Sequence, residues 1–204
     1  YYHGYAAFQN TDYLVAGRSL SQLNPFDDPY FGLHARYLLG RVFHVTDQKA
    51  EAAQAYEGVL AGYEKAKLDA TEALKKPEQF KNDPAERIRL ENLVRGPQPE
   101  YVAGATFHSA SLSDQAGKYA DALGKFTQFA KDFPKSELLP DVQLRIGYCQ
   151  IQTKMFPEGL ATLQPLLDKN PKLADQIQFW IGKGQVGVAS QIVDPAKVND
   201  RLNG

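Results

Sequence analysis

The chain has 204 residues, with Lys+Arg 23 against Asp+Glu 24, 43% hydrophobic residues, 11% aromatic residues and one cysteine. Apolar content at that level excludes an intrinsically disordered chain, and a net charge of −1 excludes the basic face that nucleic-acid binding needs. A single Cys excludes a disulfide framework and a thiolate metal cage, and no apolar run approaches the ~18 residues of a membrane span.

The chain opens with Tyr1-Tyr2-His3-Gly4-Tyr5, which reads as the interior of an amphipathic helix, without an initiator Met or a charged-then-apolar leader. It closes in Val198-Asn199-Asp200-Arg201-Leu202-Asn203-Gly204 with no apolar element after it. These ends predict a piece of a longer protein, with any targeting signal outside it.

Between the ends runs an internal lattice. A small residue recurs at Gly4, Gly40, Ala110, Gly147 and Gly182, at separations of 36, 70, 37 and 35. Twelve positions after the first four comes another small residue: Ala16, Ala52, Ala122 and Gly159. Four positions later stands a large apolar one: Leu20, Tyr56, Phe126 and Leu163. Pro134 and Pro171 follow 8 residues beyond Phe126 and Leu163, and Pro29 misses the equivalent place by one. This spacing predicts pairs of helices, A then B, that cross closely at the small residues. The large residue one turn later shares the face of the small one, and proline ends the pair.

The segment Arg36-x2-Leu39-Gly40-x2-Phe43…Ala52-x3-Tyr56 resembles the tetratricopeptide repeat (TPR) pattern W-x2-L-G-x2-Y…A-x3-F, with Arg in place of Trp. Tyr119 to Pro134 resembles it in helix B, Ile146-Gly147 to Pro171 forms the next copy, and Phe179-Trp180-Ile181-Gly182 begins a last one. The resemblance implies an all-α, right-handed TPR-like α-solenoid of antiparallel helix pairs forming one domain over 1–204. Its repeats fall at about 1–29, 30–63, 99–134, 138–171 and 173–193, with a helical insertion over 64–98. The periods of 35 to 37 and the phrase Phe133-Pro134-Lys135-Ser136 are similar in style to bacterial envelope TPR proteins, the Tol–Pal coordinator and the outer-membrane assembly lipoprotein. That similarity implies the periplasm or cell envelope as the setting, with the cytoplasm as the alternative.

In the insertion, helix B of the second repeat is predicted to run on to about Lys76, stopped by Pro77. A second piece starts after Asp83-Pro84 and ends at Gly96-Pro97. Between Glu64 and Arg95 stand eight basic and seven acidic residues, which suits either an elongated solvated helix or a protruding docking or dimerisation arm.

Chemical motifs are sparse. Gly182-Lys183-Gly184-Gln185-Val186-Gly187 fits G-x-G-x-x-G, but it continues a helical repeat, so close helix packing is expected and no dinucleotide cofactor. His3, His34, His44 and His108 form no ligand spacing, and no metal site is expected. Cys149 is expected to be a half-buried packing thiol, and Asp27-Asp28-Pro29 a capping turn between repeats. No acid, base and nucleophile come together, so no enzyme is predicted.

In the resembled family, peptides lie along the concave face of the A helices. Counting −6, −3, +1 and +4 from each small residue points to Tyr5, Phe8, His34, Tyr37, Arg41, His44, Phe107, Tyr148, Phe179 and Lys183 as a candidate peptide-binding groove. The same face carries Tyr1, Ser111, Asp141, Leu144, Ile151, Gln176 and Val186. Packing against a neighbouring turn of the superhelix is the other reading of these side chains. The family's Lys, Asn, Lys and Arg clamp for an acidic chaperone tail has only Arg41 and Lys183 here, so that ligand is not expected. The expected function is a non-catalytic protein–protein interaction scaffold for an extended peptide or partner helix. The alternative is a structural solenoid that self-assembles through its ends and its insertion.

Overall fold

The computed structural model describes residues 1–192; the C-terminal stretch 198–204 and the end of the fifth expected repeat lie outside the described residues. Every regular element among them is helical: α1 (Tyr2–Gln9), α2 (Tyr13–Ser21), α3 (Gly32–Val45), α4 (Lys49–Leu74), α5 (Pro84–Arg95), α6 (Glu100–Gln115), α7 (Tyr119–Asp132), α8 (Leu139–Gln152), α9 (Phe156–Leu167) and α10 (Ala174–Ile192). Short 3₁₀ turns at Pro77–Phe80 and Pro171–Leu173 complete the set. The chain divides into two compact units, Tyr1–Ser109 and Ala110–Gly204. The division falls inside α6.

Gly4, Gly40 and Gly147 of the small-residue lattice sit at helix crossings, whereas nothing lies within 4 Å of a Cβ built at Gly182. A Cβ added at Gly4 would lie 2.8 Å from Leu20 Cγ, and one at Gly40 would lie 2.9 Å from the Tyr56 ring. One at Gly147 would run into Leu163. In each case the obstructing side chain is the large residue 16 positions on. Ala16, Leu20, Ala52, Tyr56, Ala122, Phe126 and Leu163 are wholly buried, so the helix-pair seams are the cores of the units.

Each A helix joins its B helix through the same backbone turn. Thr11, Asp47, Gly117 and Lys154, all seven positions after the small residue, have φ of 60°, 61°, 71° and 64°. At each turn the left-handed residue donates its N–H three residues back, as in Gly117 N to Asp114 O at 2.8 Å. The next residue donates five residues back, as in Gln48 N to Phe43 O at 2.8 Å and Met155 N to Gln150 O at 2.8 Å. This is a Schellman ending, and the residue after the left-handed one is already the N-cap of the B helix. Of the four N-caps only Asp12 uses its side chain, accepting from Val15 N at 3.1 Å.

The insertion folds back on its own base. Helix α4 runs to Leu74, the chain turns through Pro77–Phe80, and α5 begins at Pro84 with Asp83 Oδ1 accepting from Glu86 N at 3.0 Å. Ala70, Phe80 and Leu90 are buried together against Leu74, Leu93 and Val94. The charges do form surface pairs, such as Arg87–Glu91 at 2.9 Å, but this small core replaces the elongated solvated helix of the sequence reading. Three apolar residues spaced far apart in a charged segment give no periodic signal, which is why the core was not legible.

Candidate functional site

In the first unit, α1, α3 and α6 bring seven of the candidate groove residues into one aromatic strip. Tyr1 stacks on Phe31 at 4.7 Å, and its hydroxyl is hydrogen-bonded with His34 Nδ1 at 2.7 Å. His34 stacks on Tyr37 at 6.2 Å and on Tyr101 at 5.5 Å, with Tyr5 6.2 Å away. Tyr37 stacks against His108, which stacks on Tyr56 at 5.5 Å and meets His44 edge-on at 5.6 Å. Phe107 makes an edge contact with His108. Arg41 donates to the Tyr37 hydroxyl at 3.3 Å and lies 5.7 Å over the Phe8 ring. Tyr5 is 37% exposed, and Phe8, His34, Tyr37, Arg41, His44 and Phe107 are half-buried, each with part of its surface in solvent.

Protonation follows from this packing. Burial lowers the His34 pKa, so the ring is neutral near pH 7. Burial raises the Tyr1 pKa, with Tyr5 and Tyr2 adding to it, so the phenol stays protonated near pH 7. Burial likewise holds the Tyr56 phenol protonated.

The other three candidates lie in the second unit. Tyr148 packs on Trp180 at 4.5 Å and on Tyr119 at 5.7 Å. Phe179, 55% exposed, meets Trp180 at 5.0 Å, and Lys183 stands 5.6 Å over the Phe179 ring. The candidates thus fall into two clusters, one in each unit.

Positional counting missed several members of the first cluster. Tyr101 lies nine positions before Ala110, one turn beyond the window of −6 to +4, and its spacing from −6 would have found it. His108, at −2, and Tyr56, on a B helix, gave no positional signal. The remaining motifs are structural. Gly184 and Gly187 of the G-x-G-x-x-G string lie within α10 close against Ile151 and Phe156, whereas Gly182 faces open space and needs no close packing. Asp28 accepts from Tyr30 N at 2.9 Å and Phe31 N at 2.7 Å, closing the turn before α3. Cys149 is wholly buried rather than half-buried. Burial, with the Asp114 charge adding, pushes its thiol up to about 12, which makes it a poor nucleophile near pH 7. Among the described residues no group of three or more His, Cys, Asp or Glu is placed to hold a metal ion, and no helix is long and apolar enough to cross a membrane.

The first unit also contains a cleft of about 620 Å³ between the turn before α3, the middle of α4 and α5. Arg89 borders it, donating twice to Glu86 at 2.6 Å and lying 5.5 Å over the Tyr30 ring. The Arg89 hydrogen bonds lower the Glu86 pKa.

Residues 105–136 match the family model for the tetratricopeptide repeat. The matched stretch covers the end of α6 and the whole of α7, with its Phe133-Pro134-Lys135-Ser136 ending. No curated protein matches the chain. Among solved structures, the chain is similar to a crystal structure from Podospora anserina, of nearly identical TPR-like repeats assigned to a kinesin light chain. The identity is 13%, the TM-score is 0.59, and the match covers 92% of this chain and 84% of that one. At that identity the likeness is one of fold. The fold is all-α and TPR-like.

Proposed function

We propose that the chain is a non-catalytic protein-interaction scaffold that takes an extended peptide or a partner helix on its A-helix face. The repeats over about 1–29, 30–63, 99–134, 138–171 and 173–193 are its proposed units, with 64–98 inserted. The observation that carries this reading is the aromatic strip of the first unit, in which Tyr5, Phe8, His34, Tyr37, Arg41, His44 and Phe107 form one half-exposed set. Aromatic side chains offer broad contact area at a low cost in rotamer entropy, and Arg41 and the histidines offer orienting hydrogen bonds. Tyr148, Phe179 and Lys183 are a second proposed contact cluster. The proposed setting is the bacterial cell envelope, supported by the repeat periods and the Phe-Pro-Lys-Ser phrase alone.

The test is selection of peptides from a random phage-displayed library, followed by calorimetric titration of the winners. Wild type is compared with the double variant Tyr5→Ala, Arg41→Glu, which alters two residues outside the buried seams. Loss of binding in a variant with an unchanged thermal melt supports the strip as the site. Equal binding by both proteins refutes it.

A structural lattice element is the second reading, favoured by Leu68 and Ile88, large apolar side chains exposed on the two helices of the insertion. It predicts concentration-dependent sedimentation that Leu68→Glu with Ile88→Glu abolishes.

A further inference from the structure

The cleft between α4, α5 and the turn before α3 is a second place where the first unit departs from a packed helix pair. Its floor holds the Arg36 guanidinium, lying against the backbone of Gly58 and 5.8 Å under the Phe26 ring. A Cβ at Gly58 would run into that guanidinium, and one at Gly62 would lie 2.6 Å from Leu33 Cδ2. Two glycines one turn apart in the interior of a long helix weaken the helix. Here Gly58 makes room for the Arg36 head and Gly62 for the Leu33 side chain beside it.

Among the described residues the Arg36 side chain has no carboxylate partner and no hydrogen bond, and its guanidinium lies over the Phe26 ring. The other charges of the cleft sort differently. Arg89 is taken up by Glu86, and Asp28 by two backbone N–H groups. Asp27, Asp69 and Lys65 remain at the lining. A half-buried guanidinium with unused donors is a receptor for an anion, and its planar fork fits a carboxylate through two parallel hydrogen bonds. With Lys65 offsetting only one of the two lining acids, Asp27 and Asp69, the cleft opposes a multiply charged group such as a phosphate more than a single carboxylate on Arg36. Next to it, Leu33, Tyr63, Ala66, Ala70, Leu90 and Leu93 give the rest of the cleft an apolar wall. The volume is within the range of small-ligand sites.

We propose that this cleft binds a monocarboxylate with an apolar body, the carboxylate on Arg36 and the body along α4 and α5. The ligand is a free organic acid or the C-terminal residue of a peptide, two sources of one chemistry. The site meets the aromatic strip at Tyr101, which borders both, and the proposal does not depend on the peptide-binding reading of that face.

The experiment titrates the whole chain with 4-phenylbutyrate, with the peptide Gly-Gly-Leu-Phe bearing a free carboxylate, and with the neutral amide of each. Binding is followed through the backbone amide resonances of Gly58 and Gly62 and the Nε–H of Arg36. At least one acid is expected to move these signals saturably, and its amide to bind about tenfold more weakly or worse. Response to phenylbutyrate alone assigns a small acid, and response to the peptide alone assigns a chain terminus. Arg36→Gln is expected to lose the acid preference. The wild-type comparison of acid with amide decides the matter even where that variant fails to fold. The proposal is overturned when neither acid moves Gly58 and Gly62, when acid and amide bind alike, or when a folded Arg36→Gln retains the preference.

Discussion

The four A-to-B turns allow a sharp test of how the backbone is built, because one conformation is occupied by four different residue types. Thr11, Asp47 and Lys154 hold φ near +60°, a region that costs an L-residue with a Cβ roughly 1–2 kcal/mol. Replacing such a residue with glycine removes that cost but adds about 0.5–1 kcal/mol of unfolded-chain entropy. The net expectation is a gain of roughly 0.5–1 kcal/mol each for Thr11→Gly and Lys154→Gly, with the β-branched Thr11 giving the most. Asp47→Gly should gain least, since Asp tolerates this region best. The exposed Asp47–Lys49 pair at 3.3 Å contributes little that could be lost. Gly117 is the control of opposite sign. Nothing lies within 4 Å of a Cβ built there, so Gly117→Ala meets no steric obstacle and is strained through φ alone, at a cost of about 1 kcal/mol. Urea denaturation followed by circular dichroism measures all four, and each kcal/mol corresponds to roughly 2–4 °C in Tm at this size. A neutral Gly117→Ala, or a loss of stability in Thr11→Gly, would refute the argument that these turns are limited by left-handed strain.

Two further outcomes follow from the packing and the titration. Ala122→Glu puts a charge at a wholly buried crossing, so we expect a loss of about 3–5 kcal/mol, with hydrogen-exchange protection failing first in α7 and α8; full protection of α7 in the variant would show that the seam is elsewhere. For His34, burial holds the folded pKa below the unfolded value of about 6.5, so its contribution to stability is complete above that value and declines as pH falls below it. Urea midpoints between about pH 8 and pH 5 should therefore fall less steeply in His34→Gln than in wild type, and identical slopes would exclude the effect.

The helix pairs were legible because close crossing imposes a rule on individual residues. Wherever an A helix touches its B helix, a Cβ is excluded or nearly so, and the rule prints small residues at a fixed interval from their large partners. Gly4 with Leu20, Gly40 with Tyr56 and Gly147 with Leu163 are that rule in space. The Schellman turns obey an equally strict backbone rule that leaves almost no trace, since Thr, Asp, Gly and Lys all fill the same position. A constraint on φ worth about 1 kcal/mol is weak enough for other pressures to overwrite it, whereas a steric clash at a seam is not.

The aromatic strip and the cleft divide along the same line. Tyr5, His34, Tyr37 and Arg41 could be named together from the sequence because positions on one face of repeated helices inherit the period of the repeat. The cleft has no such period: its walls come from a turn, an interrupted repeat and an insertion that occurs once, and Arg36 appeared in the sequence only as the departure from Trp in the TPR pattern. In place of the indole stands a guanidinium. Gly58, which no repeat position demands, is the glycine on which that guanidinium rests. The substitution and the glycine explain one another, and neither is needed for a helix pair to pack. Residues that depart together from a repeat, and meet in space, are where a repeat fold acquires a property of its own.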